Sequence, residues 1–374
     1  MAQFNSTSHY VTLDGLRGLA AIAVVLIHTY QVLELPQLFP HAYLAVDFFF
    51  LLSGFVIAKA YEARLETSMT FVEFAKVRFA RLYPMLFVGV VLGILVGIVR
   101  LLKPHFVTAE DVVKAGLSAL VLMPTTRLFL QYPGALYPIN GPEWTLFFEF
   151  TVNFIYAPLV RWLSTKRLAA ICALSSAALL WTAITNDWMD VGHKDIDFFF
   201  GFIRVAFPFF LGVLLFRCRP TRQLGRLTGV MLGLALSVVL LLPYGNGDWV
   251  YDTIAVVLIF PPIVFLGSAC QSWPKLNTAW LWLGELSYPL YITHLPIVRM
   301  VKNAIAMLHL RVNVTLTIGA CVIGAVIAAE LFLKVWDRPV RKWLSGRLLR
   351  PESGTGRTLT ASHAGAANAG EMIP

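Results

Sequence analysis

Long apolar runs separated by short polar connections dominate the chain, and this pattern predicts helices that cross a membrane. A crossing helix needs about 20 predominantly apolar residues, and the hydropathy pattern supplies ten such runs. The predicted spans are 11–33, 44–62, 80–101, 143–163, 168–184, 198–216, 226–242, 252–270, 280–302 and 312–335. The sequence therefore predicts an all-α, polytopic integral membrane protein.

The connections between the spans predict one membrane domain and a tail. We assign residues 1–350 to the membrane domain, and we expect a disordered cytoplasmic tail at 351–374 because Gly, Ala, Ser and Thr leave little to bury there. Within the longest connection, 102–142, residues 112–123 are apolar but too few to span, which predicts an interfacial or re-entrant segment. Pro339 follows the last span and is predicted to end its helix, and Asp337 is predicted to pair with an arginine nearby.

Basic residues are concentrated in alternate connections, and this asymmetry predicts the orientation. Cytoplasmic loops of membrane proteins carry an excess of Lys and Arg. The connections on the side of the N-terminus hold most of the lysines and arginines of this chain. We therefore expect both termini to be cytoplasmic.

Composition supports the same class of protein. The chain has 374 residues, of which 58% are hydrophobic and only 14% are charged, an unusual balance for a soluble domain. The basic residues at span ends explain the net charge of +9, so the expected partner is the lipid bilayer and not a nucleic acid. The four cysteines lie in or beside apolar runs without metal-like spacing, and no metal site is expected.

Two polar residues of the first span require an explanation beyond packing. Arg17 and His28 are eleven positions apart. At about 100° and 1.5 Å per residue they share one helix face and lie roughly 16 Å apart along the axis. Polar groups inside a bilayer are costly and usually functional. The pair thus offers an anion-binding cation near one membrane surface and a titratable imidazole deeper inside.

The same residues begin a set of motifs that resembles a known family. Arg17 and His28 resemble the first-helix signature of the acyltransferase-3 family of bacterial membrane O-acyltransferases. Further blocks resemble that family in the same order: VDFFFLLSGF at 46–55, KVRFARLYP at 76–84, WTLFFE at 144–149 and GELSYPLYITH at 284–294. One departure is Val77, because the family often has two adjacent arginines at this point. The family's appended extracytoplasmic domain is not expected in this chain.

The resemblance implies an enzyme of the bacterial cytoplasmic membrane. Such an enzyme would transfer an acyl group, most simply acetyl, from cytoplasmic acyl-coenzyme A to a hydroxyl of a carbohydrate or glycan-linked acceptor. Acyl-coenzyme A would be a donor substrate, and no permanently bound cofactor is expected. A secondary transporter or exporter of a glycan or small anion is the alternative, since transporters also use intramembrane charges, although no inverted repeat is evident.

On this interpretation four residues at the inner end would hold the donor. Arg17, Arg78 and Arg81 would bind its phosphates, because guanidinium groups suit phosphate geometry. Asp14 would fix the rotamer of Arg17 through an i,i+3 pair. For Arg78 and Arg81, ordinary anchoring at the cytoplasmic surface is the competing interpretation.

Three residues would carry the chemistry. His28 would take the proton from the acceptor hydroxyl, a task suited to imidazole, and a covalent acyl-histidine route is the chemical alternative. The competing interpretation is a histidine satisfied by a neighbouring helix. Asp47 would orient His28 or the acceptor, or would simply cap its own helix. Glu149 lies deep in its span and is expected to pair with an arginine such as Arg204, or to hold an acceptor hydroxyl.

The remaining candidates would contact the acceptor, and each has a structural alternative. Ser53 precedes a glycine that permits close helix packing. Tyr288, Tyr291 and His294 share one sector of a predicted helix, but tyrosines are also common at membrane interfaces. Arg204 completes this set.

Overall fold

A computed structural model describes residues 10–101, 107–125, 134–243, 248–271 and 273–348. In these ranges every regular element is helical. The α-helices are α1 (Val11–Val32), α2 (Ala45–Thr67), α3 (Phe71–Leu101), α4 (Ala109–Leu120), α5 (Glu143–Leu159), α6 (Thr165–Asn186), α7 (Phe198–Arg217), α8 (Arg226–Leu241), α9 (Asp248–Ile254), α10 (Phe260–Gly267), α11 (Pro274–Met307), α12 (Val314–Phe332) and α13 (Arg338–Leu348). The predicted tail at 351–374 lies outside the described residues.

Short helical turns join some of these helices. A 3-10 turn, Pro40–Leu44, leads into α2, and another, Val160–Trp162, follows α5. A π turn, Ala255–Ile259, links α9 to α10, and a second, Leu333–Asp337, links α12 to α13.

The helix composition is that of a multi-pass membrane protein. Seven described stretches are long and apolar enough to cross a membrane: Val11–Val32, Pro40–Thr67, Phe71–Leu101, Thr165–Asn186, Phe198–Arg217, Asp248–Gly267 and Val314–Leu348. The other three predicted spans coincide with α5 (17 residues), α8 (16 residues) and α11 (34 residues), which are either short or rich in polar side chains. Their crossing of the membrane stays a prediction.

Helix α3 begins well before the predicted span. Thr70 and Glu73 form reciprocal hydrogen bonds, in which the Thr70 amide donates to Glu73 Oε2 over 2.7 Å and the Glu73 amide donates to Thr70 Oγ1 over 3.2 Å. This capping arrangement starts a helix irrespective of hydropathy. Arg78 and Arg81 therefore lie on a rigid helix.

The apolar segment of the longest connection forms a short helix of 12 residues, and its interfacial or re-entrant position stays a prediction. Helix α4 begins at a capping box in which Thr108 and Asp111 bond each other's amides. Its buried face, with Val112 and Ala115, packs toward α3, whereas Val113 and Leu117 are exposed.

The predicted helix end at Pro339 is wrong. The chain passes from α12 through the π turn into α13, where Pro339 is the second residue. A proline is tolerated in the first turn of a helix, and the π turn before α13 has already interrupted the regular α-helical hydrogen bonding. Asp337 does pair with an arginine as expected, since Arg341 lies 2.5 Å away.

Glycines allow two pairs of helices to pack closely around the site. Between α1 and α11, a Cβ on Gly18 would overlap Leu283, and a Cβ on Gly284 would overlap Asp14. Between α2 and α7, a Cβ on Gly54 would overlap the carbonyl oxygen of Phe209. Small residues permit this approach, and the predicted packing role of the Ser53 region is confirmed for Gly54.

Candidate active site

Helix α11 holds Arg17 at the N-terminal end of α1. The Nε of Arg17 donates to Ser287 Oγ over 2.8 Å, and one terminal nitrogen donates to the Gly284 carbonyl oxygen over 2.6 Å. The predicted pair with Asp14 is present, with 3.3 Å between Arg17 nitrogen and carboxylate oxygen. About 25% of the Arg17 side chain is still exposed. Its rotamer is thus fixed while part of the side chain stays accessible.

The same helix holds His28 near the other end of α1. Nδ1 of His28 lies 3.0 Å from the Val24 carbonyl oxygen and 3.1 Å from Nε2 of His294. The two imidazole centroids are 4.9 Å apart. His294 is fully buried, whereas His28 is partly exposed. The accessible ring of this pair is therefore that of His28.

These contacts confirm that Arg17 and His28 share one face of α1. Arg17 meets Ser287 and His28 meets His294, so α1 and α11 run side by side in the same direction. The separation of eleven positions between the two groups corresponds to roughly 16 Å of helix.

Glu149 pairs with an arginine, but the expected partner was wrong. A terminal nitrogen of Arg78 donates to Glu149 Oε1 over 2.7 Å, and Ser53 Oγ donates to the same oxygen over 2.9 Å. Arg78 belongs to α3 and reaches α5 directly, whereas Arg204 is occupied elsewhere. About 22% of the Glu149 side chain is exposed.

Arg204 is enclosed by protein acceptors. It is fully buried and forms a two-pronged contact with Asp47, with distances of 3.1 and 2.9 Å from Nε and a terminal nitrogen. Its other contacts are Asp190 Oδ1 at 3.4 Å and the carbonyl oxygens of Val191 and Tyr43. This arrangement joins α2 to α7 and favours a structural role for Asp47 and Arg204. Their predicted roles at the acceptor stay predictions.

The tyrosines of α11 form contacts within the protein. The hydroxyl of Tyr288 donates to the Leu82 carbonyl oxygen over 2.5 Å, and the hydroxyl of Tyr291 accepts from Thr145 over 3.0 Å. The Tyr291 ring centroid is 6.1 Å from that of His294. Arg81 is exposed on α3.

Comparison with known proteins identifies the family. A family model described as "Acyltransferase domain" matches residues 10–333, which is most of the chain. The chain belongs to the acyltransferase-3 family. It is thus an acyltransferase, and the matched region contains Arg17, His28 and every other predicted site residue.

Two relatives match the chain of this acyltransferase. It is 26% identical to "Acyltransferase MdmB" of Streptomyces mycarofaciens over an alignment 384 residues long. The alignment covers 90% of this chain and 92% of that protein. It is 35% identical to "Protein 2 in picA locus" of Rhizobium radiobacter over 184 residues, which cover 46% of this chain and 94% of that protein. No solved structure matches.

One buried polar cluster of this acyltransferase lies outside the sequence motifs described above. Tyr43 donates to Asp252, whose other carboxylate oxygen lies 3.1 Å from His41 Nδ1. Asp252 and His41 are almost fully buried. One feature of the sequence could have indicated this cluster, which is the aspartate at the start of the predicted span 252–270. A carboxylate buried there requires polar partners.

A second unpredicted group lies beside α11. Asn140 Nδ2 donates to Glu143 Oε1 over 3.0 Å and to the Ile292 carbonyl oxygen over 2.9 Å. Asn140 and Glu143 are both fully buried. This contact ties the start of α5 to α11 two residues before His294. Among the described residues, no group of three or more His, Cys, Asp or Glu side chains is placed to hold a metal ion.

Proposed function

We propose that this acyltransferase moves an acyl group, most simply acetyl, from acyl-coenzyme A to a hydroxyl of a carbohydrate or glycan-linked acceptor. The observation that carries the proposal is the shared face of α1, on which Arg17 and His28 both contact α11. The donor and acceptor classes are inferred from the resemblance of five sequence blocks to bacterial membrane O-acyltransferases.

In this proposal Arg17 binds a phosphate of the donor. Its hydrogen bonds to described residues use Nε and one terminal nitrogen. The second terminal nitrogen is available to an anion, and the side chain is partly exposed. A charge-assisted bond between guanidinium and phosphate is strong and directional. Arg81, exposed nearby, would add positive charge, whereas Arg78 acts mainly by holding Glu149.

His28 is the proposed general base. The acceptor hydroxyl loses its proton to the imidazole as its oxygen bonds the thioester carbonyl carbon. The carbon–sulfur bond then breaks, and the coenzyme thiolate takes the proton back from the imidazolium. The pantetheine arm would extend along the helix face from Arg17 to His28. A positioned base of this kind contributes about 10²- to 10⁴-fold to a rate.

We further propose ten crossings of a bacterial cytoplasmic membrane, with both termini in the cytoplasm. Helix α11 runs beside α1 from Ser287 to His294, so it crosses the bilayer if α1 does. Helices α5 and α8 alternate with apolar spans in the chain. The excess of basic residues in alternate connections gives the orientation, which places Arg17 near the cytoplasmic donor and His28 toward the outer half.

The test is acetyl-coenzyme A turnover by protein purified into nanodiscs. Release of free thiol is measured with a panel of glycan acceptors. We expect His28→Ala to lower kcat by about 10²- to 10⁴-fold. His309→Asn is the matched control, because His309 is exposed and its φ of 48° suits asparagine. Thiol release by His28→Ala at the wild-type rate, with the protein folded, would exclude His28 as the base.

A further inference from the structure

The protonation of Nδ1 in the His294 ring is determined by the backbone atoms that surround it. Nδ1 lies 2.7 Å from the Tyr291 carbonyl oxygen and 3.2 Å from that of Leu290. A carbonyl oxygen can only accept a hydrogen bond. Nδ1 of His294 therefore carries the proton, and Nε2 of the neutral ring presents its lone pair.

This lone pair determines the state of the second imidazole. Nε2 of His294 is 3.1 Å from Nδ1 of His28, which is also 3.0 Å from the Val24 carbonyl oxygen. Both neighbours of that nitrogen are acceptors, so Nδ1 of His28 carries a proton and shares it between them. In the neutral ring the remaining nitrogen, Nε2 of His28, is then unprotonated.

We propose that His294 is a positioning residue, which holds His28 as the Nδ1-protonated tautomer and makes Nε2 of His28 the atom that accepts the hydroxyl proton. The proposal rests on the proposed function of His28 as the base. As Nε2 takes the proton, the Nδ1–H of the resulting imidazolium keeps its bond to His294. His294 exchanges no proton, and the thiolate later recovers the proton from Nε2.

Burial distinguishes this role from direct contact with the acceptor. His294 is fully buried, and its two nitrogens already face the Tyr291 carbonyl oxygen and His28. A hydrogen bond becomes stronger when its donor becomes charged. The bond from His28 Nδ1 to the neutral acceptor His294 Nε2 therefore strengthens when His28 becomes an imidazolium. His294 thus favours the charged form of His28 that exists during transfer.

Two variants of His294 separate positioning from packing. His294→Gln retains a side-chain oxygen that can accept from His28, whereas His294→Phe retains the ring volume without an acceptor. We expect His294→Phe to lower kcat by about 10- to 100-fold, the worth of a hydrogen bond to a charged group, with KM for acetyl-coenzyme A unchanged. His294→Gln should stay within about fivefold of the wild type.

Nitrogen-15 NMR of histidine-labelled protein in nanodiscs reads the tautomers without turnover. The wild type should show Nδ1-protonated rings for both residues, assigned by loss of each signal in His28→Ala and His294→Phe. His294→Phe should also shift the Nδ1 resonance of His28. An Nε2-protonated His28, or wild-type kcat in a folded His294→Phe, would overturn the proposal. If the wild type itself releases no thiol, the proposed function fails, while the tautomer measurement still stands.

Discussion

At the scale of single residues, the candidate site depends on which polar side chains stay accessible after they have formed hydrogen bonds within the protein. Arg17 is braced by Ser287, Gly284 and Asp14 yet stays partly exposed. Arg204 is fully buried and surrounded by protein acceptors. Both residues are arginines in apolar helices, and only their environments separate the proposed donor-binding arginine from the enclosed one.

The brace on Arg17 predicts a change in donor affinity. Ser287→Ala removes the hydroxyl that accepts the hydrogen bond from Arg17 Nε. The Arg17 side chain then becomes less ordered but keeps its charge. We expect KM for acetyl-coenzyme A to rise about 3- to 10-fold, in keeping with a bond worth roughly 1 kcal/mol, with kcat unchanged. Ser237→Ala is the control, because the Ser237 hydroxyl donates to the Gly233 carbonyl oxygen of its own helix and to no other described residue. A fall in kcat alone would contradict the prediction.

The pair between Arg78 and Glu149 predicts a measurable coupling in stability. Arg78 is buried, and Glu149 is partly exposed. A double-mutant cycle with Arg78→Ala and Glu149→Ala should therefore give a coupling of about 1–3 kcal/mol, below the value for a fully buried pair. Unfolding of the four proteins in detergent supplies the data. Additive effects of the two substitutions would show that the ion pair contributes nothing.

At the scale of helices, close backbone approach decides which elements form the site. Helices α2 and α7 touch through Gly54 and Gly212, each of which faces a carbonyl oxygen of the other helix. Helices α1 and α11 also approach closely, because Gly18 packs against Leu283 and Gly284 packs against Asp14. Without these glycines the polar side chains of facing helices could not reach one another.

Substitution of Gly54 tests the contact between α2 and α7. Gly54→Val places a branched side chain against backbone of α7 that cannot move aside. We expect a loss of about 3 kcal/mol or more in the free energy of unfolding, or loss of folded protein. Gly346→Ala is the control, since a Cβ there meets nothing within 4 Å. A Gly54→Val protein as stable as the wild type would contradict the packing described.

The capping box of α4 predicts a local dependence on pH. Hydrogen bonds from Thr108 lower the pKa of Asp111. A carboxyl group whose pKa is lower in the folded state stabilises at pH values above its unfolded pKa, about 3.9, and this contribution disappears as pH falls through the folded pKa. The protection of the α4 amides, which is their exchange rate relative to the intrinsic rate at the same pH, should therefore be greater at neutral pH and decrease in acid.

Substitution of the cap tests the same interaction. Thr108→Ala should remove about 1 kcal/mol of α4 stability and most of the pH dependence. Exchange is measured over residues 109–120, with α3 as the internal reference. An unchanged pH profile in Thr108→Ala would contradict the assignment of the effect to this cap.

At the scale of the whole molecule, the sequence predicted where helices lie better than how they meet. Hydropathy located the apolar spans because burial in lipid acts on each segment alone. It misplaced the start of α3 and the end of α12, because a capping box and a π turn are local effects that hydropathy does not report. The face shared by Arg17 and His28 followed from helix periodicity.

Contacts between distant segments could not be predicted. His28 and His294 are 266 positions apart, and so are brought together only by packing of α1 on α11. Glu149 required an arginine, but three-dimensional packing selected Arg78 over Arg204. His41 and Asp252 form a pair across 211 positions, and neither belongs to a recognisable motif.

The most direct test of the account separates donor binding from turnover along the shared face of α1. Equilibrium binding of radiolabelled acetyl-coenzyme A to nanodisc-embedded protein is measured for the wild type, Arg17→Ala, His28→Ala and the control Arg222→Ala, whose arginine is exposed. We expect Arg17→Ala to raise the Kd for acetyl-coenzyme A by about 10- to 100-fold, whereas His28→Ala and Arg222→Ala should bind as the wild type does. Wild-type affinity in Arg17→Ala, or an equal loss in His28→Ala, would contradict this expectation.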